Sequence, residues 1–282
     1  MTRHLPALLV LAVGCDGETL PDESFLDRQR ILGARITSDG ASEALAGALA
    51  TVEVLAWSPT GDPSVLVALC APDPEDLDAP CPKASIVESA KDRDFTTSED
   101  QVWARENGLL GVLPDLPVVF PVPDPSRGQG QGGGRSYLPL DLVAWSPGEA
   151  DERGAVTLVA VDDSVVRNQN PGTPGVELDG VRIERSLTVD GGDVVELAAV
   201  AAEAPETFTD PGDGPVDEIY TYRWYSDLGE LAPSGLDLPI GTPANEVMEW
   251  TLPEGADSGV LYLVVRDGRG GMAWSIVDVT VR

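Results

Sequence analysis

A chain of 282 residues with 48 acidic against 18 basic side chains carries a formal net charge of −30, and a field of that sign repels nucleic-acid phosphates and anionic lipid headgroups. Its hydrophobic content of 42% is that of a globular protein, which excludes disorder throughout. The single histidine, His4, falls in the leader described next, so the remainder holds no Ser-His-Asp triad, no histidine general base and no histidine metal ligand.

Arg3 gives a basic start, Leu5 to Val13 an apolar core, and Ala12 and Gly14 small residues before Cys15. This is the layout of a secretory signal, and the core is far short of the ~20 apolar residues of a spanning helix. The segment resembles the lipobox of bacterial lipoproteins. That resemblance implies cleavage before Cys15 and a diacylglycerol on its thiol, an anchor made durable by about 0.8 kcal/mol per buried methylene. Ala12 departs from the pattern, which commonly has Leu there; Leu11 stands one place earlier. The competing reading is an ordinary signal that leaves Cys15 a spare thiol. Residues 1–14 are thus expected to be a signal peptide, and residues 15–29, polar and turn-rich, a lipidated tether. The expected location is the bacterial cell envelope, with the outer membrane or cell surface ahead of the inner membrane. The expected partners are the membrane, through Cys15, and an envelope protein or glycan.

A first domain is expected over residues 30–171. Arg30–Ile36 reads as a strand, and Ala44–Ala50 suits a helix by propensity, although alanine also tolerates a loop edge. Thr51–Trp57 alternates as a strand and stops at Ser58-Pro59. Ser64–Cys70 is the next strand. An acidic, proline-rich loop then leads to Cys81. In an oxidising compartment Cys70 and Cys81 form a loop-closing disulfide worth ~2–3 kcal/mol, and Cys15 is left as the odd cysteine. A two-cysteine metal site is the weaker alternative, since no further Cys or His ligand is at hand. Residues 84–135 are the least regular. Asp100–Leu110 suits a short helix, the proline-interrupted Leu113–Val122 an extended edge or loop, and Arg127–Arg135 a flexible loop. That glycine run lacks the Lys-Ser/Thr ending of a phosphate loop. Tyr137–Trp145, ended by Ser146-Pro147, and Ala155–Val161 are strands. Asn168–Gly175 punctuates the chain and marks the boundary with a second domain, residues 172–282.

In that second domain Val176–Ile183, Asp193–Ala201, Glu218–Tyr225, Asn245–Leu252, Gly259–Val265 and Ala273–Val281 read as short strands between turn signals. Tyr222-Arg223-Trp224, Trp250-Thr251-Leu252-Pro253 and Tyr262 to Gly271 resemble an immunoglobulin-like or PKD-type domain of bacterial surface proteins. In that pattern the Trp224 ring packs across the sandwich, and Val265-x-Asp267 onward is the last hairpin. Tyr262 sits one place off a tyrosine corner, and no inter-sheet disulfide is available. The whole layout resembles envelope lipoproteins of myxobacteria. The resemblance implies an all-β chain with two immunoglobulin-like β-sandwich domains in tandem.

Acidic loops carry the only ligand chemistry. Asp210, Asp213 and Asp217 are candidate calcium ligands by spacing, although they do not match an EF-hand loop. Asp73–Asp78 and Asp267 are further acidic positions, and plain solvated loops are the favoured reading of all of them. Tyr220, Tyr222 and Trp224 share one face of a strand, where core packing is favoured over a sugar platform. The expected function is that of a non-catalytic, membrane-anchored structural or binding ectodomain, with no cofactor other than calcium. The alternatives are a calcium-dependent adhesion or carbohydrate-binding module and, behind it, an acidic-residue hydrolase, which would need two carboxylates across a cleft.

Overall fold

Strand alternation and paired faces organise both halves of the chain. The computed structural model describes residues 24–69, 82–122, 129–132, 135–161, 166–210, 214–233 and 246–282. In the first half these form β1 (Arg30–Thr37), β2 (Glu43–Leu45), β3 (Leu49–Trp57), β4 (Ser64–Leu69), α1 (Ala84–Lys91), α2 (Ser98–Glu106), β5 (Leu109–Leu113), β6 (Val118–Pro121), β7 (Gln129–Gly132), β8 (Arg135–Trp145) and β9 (Glu152–Val161). One sheet has the order β1-β3-β6, the other β2-β9-β8-β4-β5, with β7 on β8. Ile36, Val52, Val65, Val67, Phe120, Leu140, Leu142 and Leu158 fill the space between them. β4 reads Ser-Val-Leu-Val-Ala-Leu without alternation because both its faces are covered. Val65 and Val67 enter the sandwich. Leu66 and Ala68 meet Val87, Phe95 and Ala104 of the helical segment on the outside.

The second half forms β10 (Gly175–Leu178), β11 (Val181–Ile183), β12 (Ser186–Val189), β13 (Val194–Val200), β14 (Thr207–Asp210), β15 (Gly214–Asp217), β16 (Thr221–Ser226), β17 (Glu230–Pro233), β18 (Val247–Thr251), β19 (Asp257–Arg266) and β20 (Met272–Val281). Sheets β11-β10-β13-β18-β17 and β12-β20-β19-β16 enclose the core. Trp224 and Trp250 lie at its centre with Leu197, Leu261 and Leu263. Trp250 Nε1 donates to the Leu228 carbonyl at 2.9 Å, so its one polar atom is satisfied. β14 and β15 form a separate ribbon.

Both halves share one strand order. With β11, a short hairpin partner of β10, left aside, the first strand pairs with the third (β1 with β3, β10 with β13), a short second strand runs parallel to the last (β2 to β9, β12 to β20), and the remaining pairs are antiparallel. With a tryptophan packed across the second core, this is the immunoglobulin-like arrangement. Among the described residues the chain is all-β apart from two short helices, and it forms two such β-sandwiches.

The sandwiches stack face on face. The outer face of β1 and β3 presents Leu32, Leu55 and Trp57 to Tyr225, Tyr262, Val264 and Trp274 of β16, β19 and β20. A Cβ on Gly33 would lie 2.7 Å from Met272 Sδ, so a side chain there would have to displace the methionine. Arg35 lies 4.5 Å over the Trp274 ring and pairs with Glu53 at 2.8 Å. Tyr262 therefore belongs to the contact between domains and not to a tyrosine corner.

Several expectations are corrected. Ala44–Ala50 is no helix: Glu43–Leu45 pairs in parallel with β9, Gly47 turns the chain at a φ of 76°, and Ala44 and Ala50 are fully buried. Helix α1 was not foreseen. Arg127–Arg135 is not all loop, since Gln129–Gly132 pairs with β8. The tether does not reach residue 29. Ser24 and Leu26 exchange backbone hydrogen bonds with Ser226 at 2.9 Å each, Leu26 is buried in the domain contact, and Gln29 is 2% exposed. The Gln29 amide donates to the carbonyls of Ala144 and Ala150 and accepts from Ser146. Among the described residues no helix is long and apolar enough to cross a membrane.

Candidate functional site at the domain junction

The connector read as punctuation is instead a buried polar clasp. Asn168 is wholly buried. Its side-chain amide donates to Ser42 Oγ of the first domain at 2.9 Å and to Asp267 Oδ2 of the second at 2.8 Å. Its backbone N–H donates to Glu43 Oε2 at 2.8 Å. Asn170 repeats the device: its amide donates to the Ile36 carbonyl on β1, and its Oδ1 accepts from Met272 N on β20, both at 3.0 Å. Buried amides and carboxylates of this kind are costly unless paired; the pairing made here joins the two domains, while Asn168 Oδ1 has no partner among the described residues.

Beside the clasp opens a cleft of about 320 Å³. Gly40 of the first domain, Gln169 and Asn170 of the connector, and Glu203, Glu206, Glu218 and Tyr220 of the second line it. The β14–β15 ribbon builds its acidic wall. Glu206 precedes the ribbon, Glu218 follows it, and Glu218 N donates to the Glu206 carbonyl at 2.8 Å, which closes the base. Arg269, from the turn between β19 and β20, reaches in. Its Nη1 lies 2.8 Å from Glu218 Oε1 and 4.0 Å from Glu206 Oε2, and its guanidinium lies 4.4 Å over the Phe208 ring.

Burial pushes the Glu218 carboxyl above its ordinary value against the pull of Arg269, and the charges of Asp267 and Glu206 add to the rise. Burial, with the charges of Glu218, Glu203 and Asp267, pushes the Tyr220 phenol up to about 12. Carboxylates do share a cleft, as the hydrolase alternative requires. However, one of them, Glu218, is already ion-paired with Arg269 through Oε1.

The sequence candidates fall variously. Cys15, Cys70, Cys81, Asp73–Asp78 and Asp213 lie outside the described residues. Asp217 faces Thr207 across the ribbon and accepts its hydroxyl at 2.7 Å. Asp210 faces Gly214, three residues further along the ribbon, or about 10 Å at ~3.3 Å per residue. Pairing thus does not set Asp210 and Asp217 side by side. The Asp267 carboxylate is occupied by N–H donors from Asn168, Arg269 and Gly271. Among the described residues no group of three or more His, Cys, Asp or Glu side chains is placed to hold a metal ion. Tyr222 and Trp224 lie in the core, while Tyr220 sits at its edge on the cleft. Sequence reading missed Glu203, Glu206, Arg269 and the two connector asparagines. The one available signal was Asn168-x-Asn170-Pro171, whose residue types were read as a turn.

No family model matches this chain, and no curated protein does. Among solved structures, the fibronectin(III)-like modules of Clostridium thermocellum CbhA align over 89% of this chain and 94% of theirs, at 13% identity and a TM-score of 0.25. Murine CEACAM1b aligns over 89% and 100%, at 8% identity and 0.24. The N-terminal Ig1-2 module of the Drosophila receptor protein tyrosine phosphatase DLAR aligns over 90% and 99%, at 11% identity and 0.26. At these scores the immunoglobulin-like assignment rests on the strand order described above.

Proposed function

We propose that this chain is an envelope ectodomain, anchored by lipid at Cys15, whose two sandwiches serve a structural or binding role and not a catalytic one. The observation that carries the reading is the clasp. The amides and carboxylates that would be the raw material of an active site are spent on the junction: Asn168 and Asn170 bridge the first domain to Asp267 and Met272 of the second, and Glu43 holds the Asn168 backbone. A fixed pair of sandwiches suits presentation of a surface at a membrane. The acidic excess supports a soluble ectodomain repelled by anionic headgroups and held by acyl chains. The same compartment would oxidise Cys70 and Cys81 to a disulfide.

Palmitate labelling in a bacterial host, with wild type beside Cys15→Ala, tests the anchor. Label in wild type and none in the variant is the expected result. Absence of label from both would make the chain a soluble secreted protein and end the anchored reading.

A further inference from the structure

Among the described residues, the seam between the sandwiches holds a single sulfur, that of Met272. Of the chain's three methionines, Met1 falls in the leader, Met248 lies 4% exposed in the second core, and Met272 is only partly buried. Met272 packs on the domain contact with Leu32 and Leu55 of the first domain and Tyr225, Tyr262 and Val264 of the second. Gly33 of β1 leaves the slot that the sulfur occupies: a Cβ there would lie 2.7 Å from Met272 Sδ, 3.7 Å from Val264 and 3.9 Å from Trp274. The same residue belongs to the clasp. Its backbone N–H donates to Asn170 Oδ1, and the Asn170 amide donates to the Ile36 carbonyl of β1. Met272 thus ties the second sandwich to the first twice, by its side chain and by its backbone.

We infer that Met272 is a redox switch on the coupling of the two sandwiches, thrown by hydrogen peroxide. Peroxide transfers one oxygen atom to Sδ: its O–O bond breaks, the thioether loses two electrons and becomes a sulfoxide, and the second oxygen leaves as water. The product is larger and carries a strong acceptor on what was an apolar side chain. The slot at Gly33 is walled by Val264 and Trp274. The new oxygen must therefore leave the slot for water or stay buried at the cost of its hydration. Either course weakens the apolar contact with β1 and loosens the clasp at the residue whose N–H Asn170 holds. Met248 is the internal comparison, the same chemistry in a closed core. This inference goes beyond the structural or binding reading. It rests on the geometry of the seam and not on the lipid at Cys15.

The test is peroxide treatment of the full chain, read by peptide mass mapping and by limited trypsin digestion. The reporter is the bond after Arg167. Arg167 Nη1 donates to the Ser38 carbonyl and Asn168 is wholly buried, so cleavage there requires the seam to open. Met272 should convert to the sulfoxide well before Met248. The fragment ending at Arg167 should then form about tenfold faster, the change expected when a buried polar group lacks a partner. Methionine sulfoxide reductases with dithiothreitol should restore the slow rate, the dithiol giving up two electrons and the oxygen leaving as water; dithiothreitol alone should not. Met272→Leu keeps the apolar volume and should be cleaved slowly with or without peroxide. Met272→Gln places an amide where the sulfoxide would be and should be cleaved fast without peroxide. Met248→Leu should respond as wild type does. Conversion of Met272 with no change in cleavage overturns the proposal. So does acceleration by peroxide in Met272→Leu, and so does conversion of Met248 as early as Met272.

Discussion

With β7, β11 and the β14–β15 ribbon left aside, the two sandwiches share one strand order and differ in the placement of one strand, β5 in the first domain and β17 in the second. In the first domain that strand, β5, pairs with β4 and widens the sheet of β8 and β9. In the second it is β17, which pairs with β18 on the opposite sheet. The outer faces differ accordingly. The helical segment ahead of β5 runs across the outside of β4 and β8 and seals it with Val87, Phe95 and Ala104. Among the described residues the corresponding face of the second domain is covered by the first domain, through Leu32 and Leu55. One topology thus makes a domain that is finished locally and another that is finished by its neighbour.

The largest effect should come from breaking the second core. Trp224→Ala should cost about 3–5 kcal/mol, as for other buried tryptophans. Tyr225, the next residue, packs on the first domain, so urea unfolding should remain one transition seen alike by far- and near-UV circular dichroism. Two separated transitions would mean that the sandwiches stand independently, and the comparison above would fail.

A smaller effect probes the shared face. The Tyr262 phenol is pushed up to about 12, by burial first and then by the charges of Asp227, Asp62 and Asp278, of which Asp62 belongs to the first domain. A folded-state value above the unfolded value near 10 means that the folded state holds a proton the unfolded state releases. That contribution is complete below pH 10 and is lost as pH rises towards 12. Stability measured by denaturation should therefore fall across this window, and Tyr262→Phe should flatten the slope by about one proton. An unchanged slope would separate Tyr262 from the contact.

The smallest effect belongs to the helical cover. Thr97 Oγ1 caps α2 by accepting from Asp100 N at 3.3 Å. Thr97→Ala should cost about 1 kcal/mol and speed hydrogen exchange in α2 while leaving β16 to β20 protected. Loss of protection in both domains would show that the cover is not local.

Most strands were legible because alternation records a face buried once. β3 and the Tyr220–Trp224 stretch show this directly. β4 and β19 were legible as strands, but not which partner covered their second face, since an unbroken apolar run says only that both are dry. The Ala56-Trp57-Ser58-Pro59 and Ala144-Trp145-Ser146-Pro147 echo does not mark equivalent positions: Trp57 joins the domain contact and Trp145 the helical cluster. Ala44–Ala50 misled because alanine favours a helix only where nothing else claims its backbone. The clasp was hidden because Asn, Pro and Gly are turn formers first. Only three-dimensional pairing shows that Asn168 has left solvent. The cleft was illegible for a similar reason: Glu203, Glu206, Glu218 and Arg269 meet through the ribbon and the last turn, which no local pattern encodes.

The pairing of Ser24 and Leu26 with Ser226 has a mechanical consequence. The chain enters the molecule between its two sandwiches, bound to β16 of one and continuous with β1 of the other. Tension applied through the N-terminus is therefore divided at the seam. Part of it peels residues 24–26 away from β16, and part shears β1 along β3, a ladder of antiparallel bonds pulled lengthwise. A string of beads would pass the whole force through each domain in turn; here the load reaches both sandwiches at once, and after the short pairing peels away the shared face and the clasp still tie the second sandwich to the first.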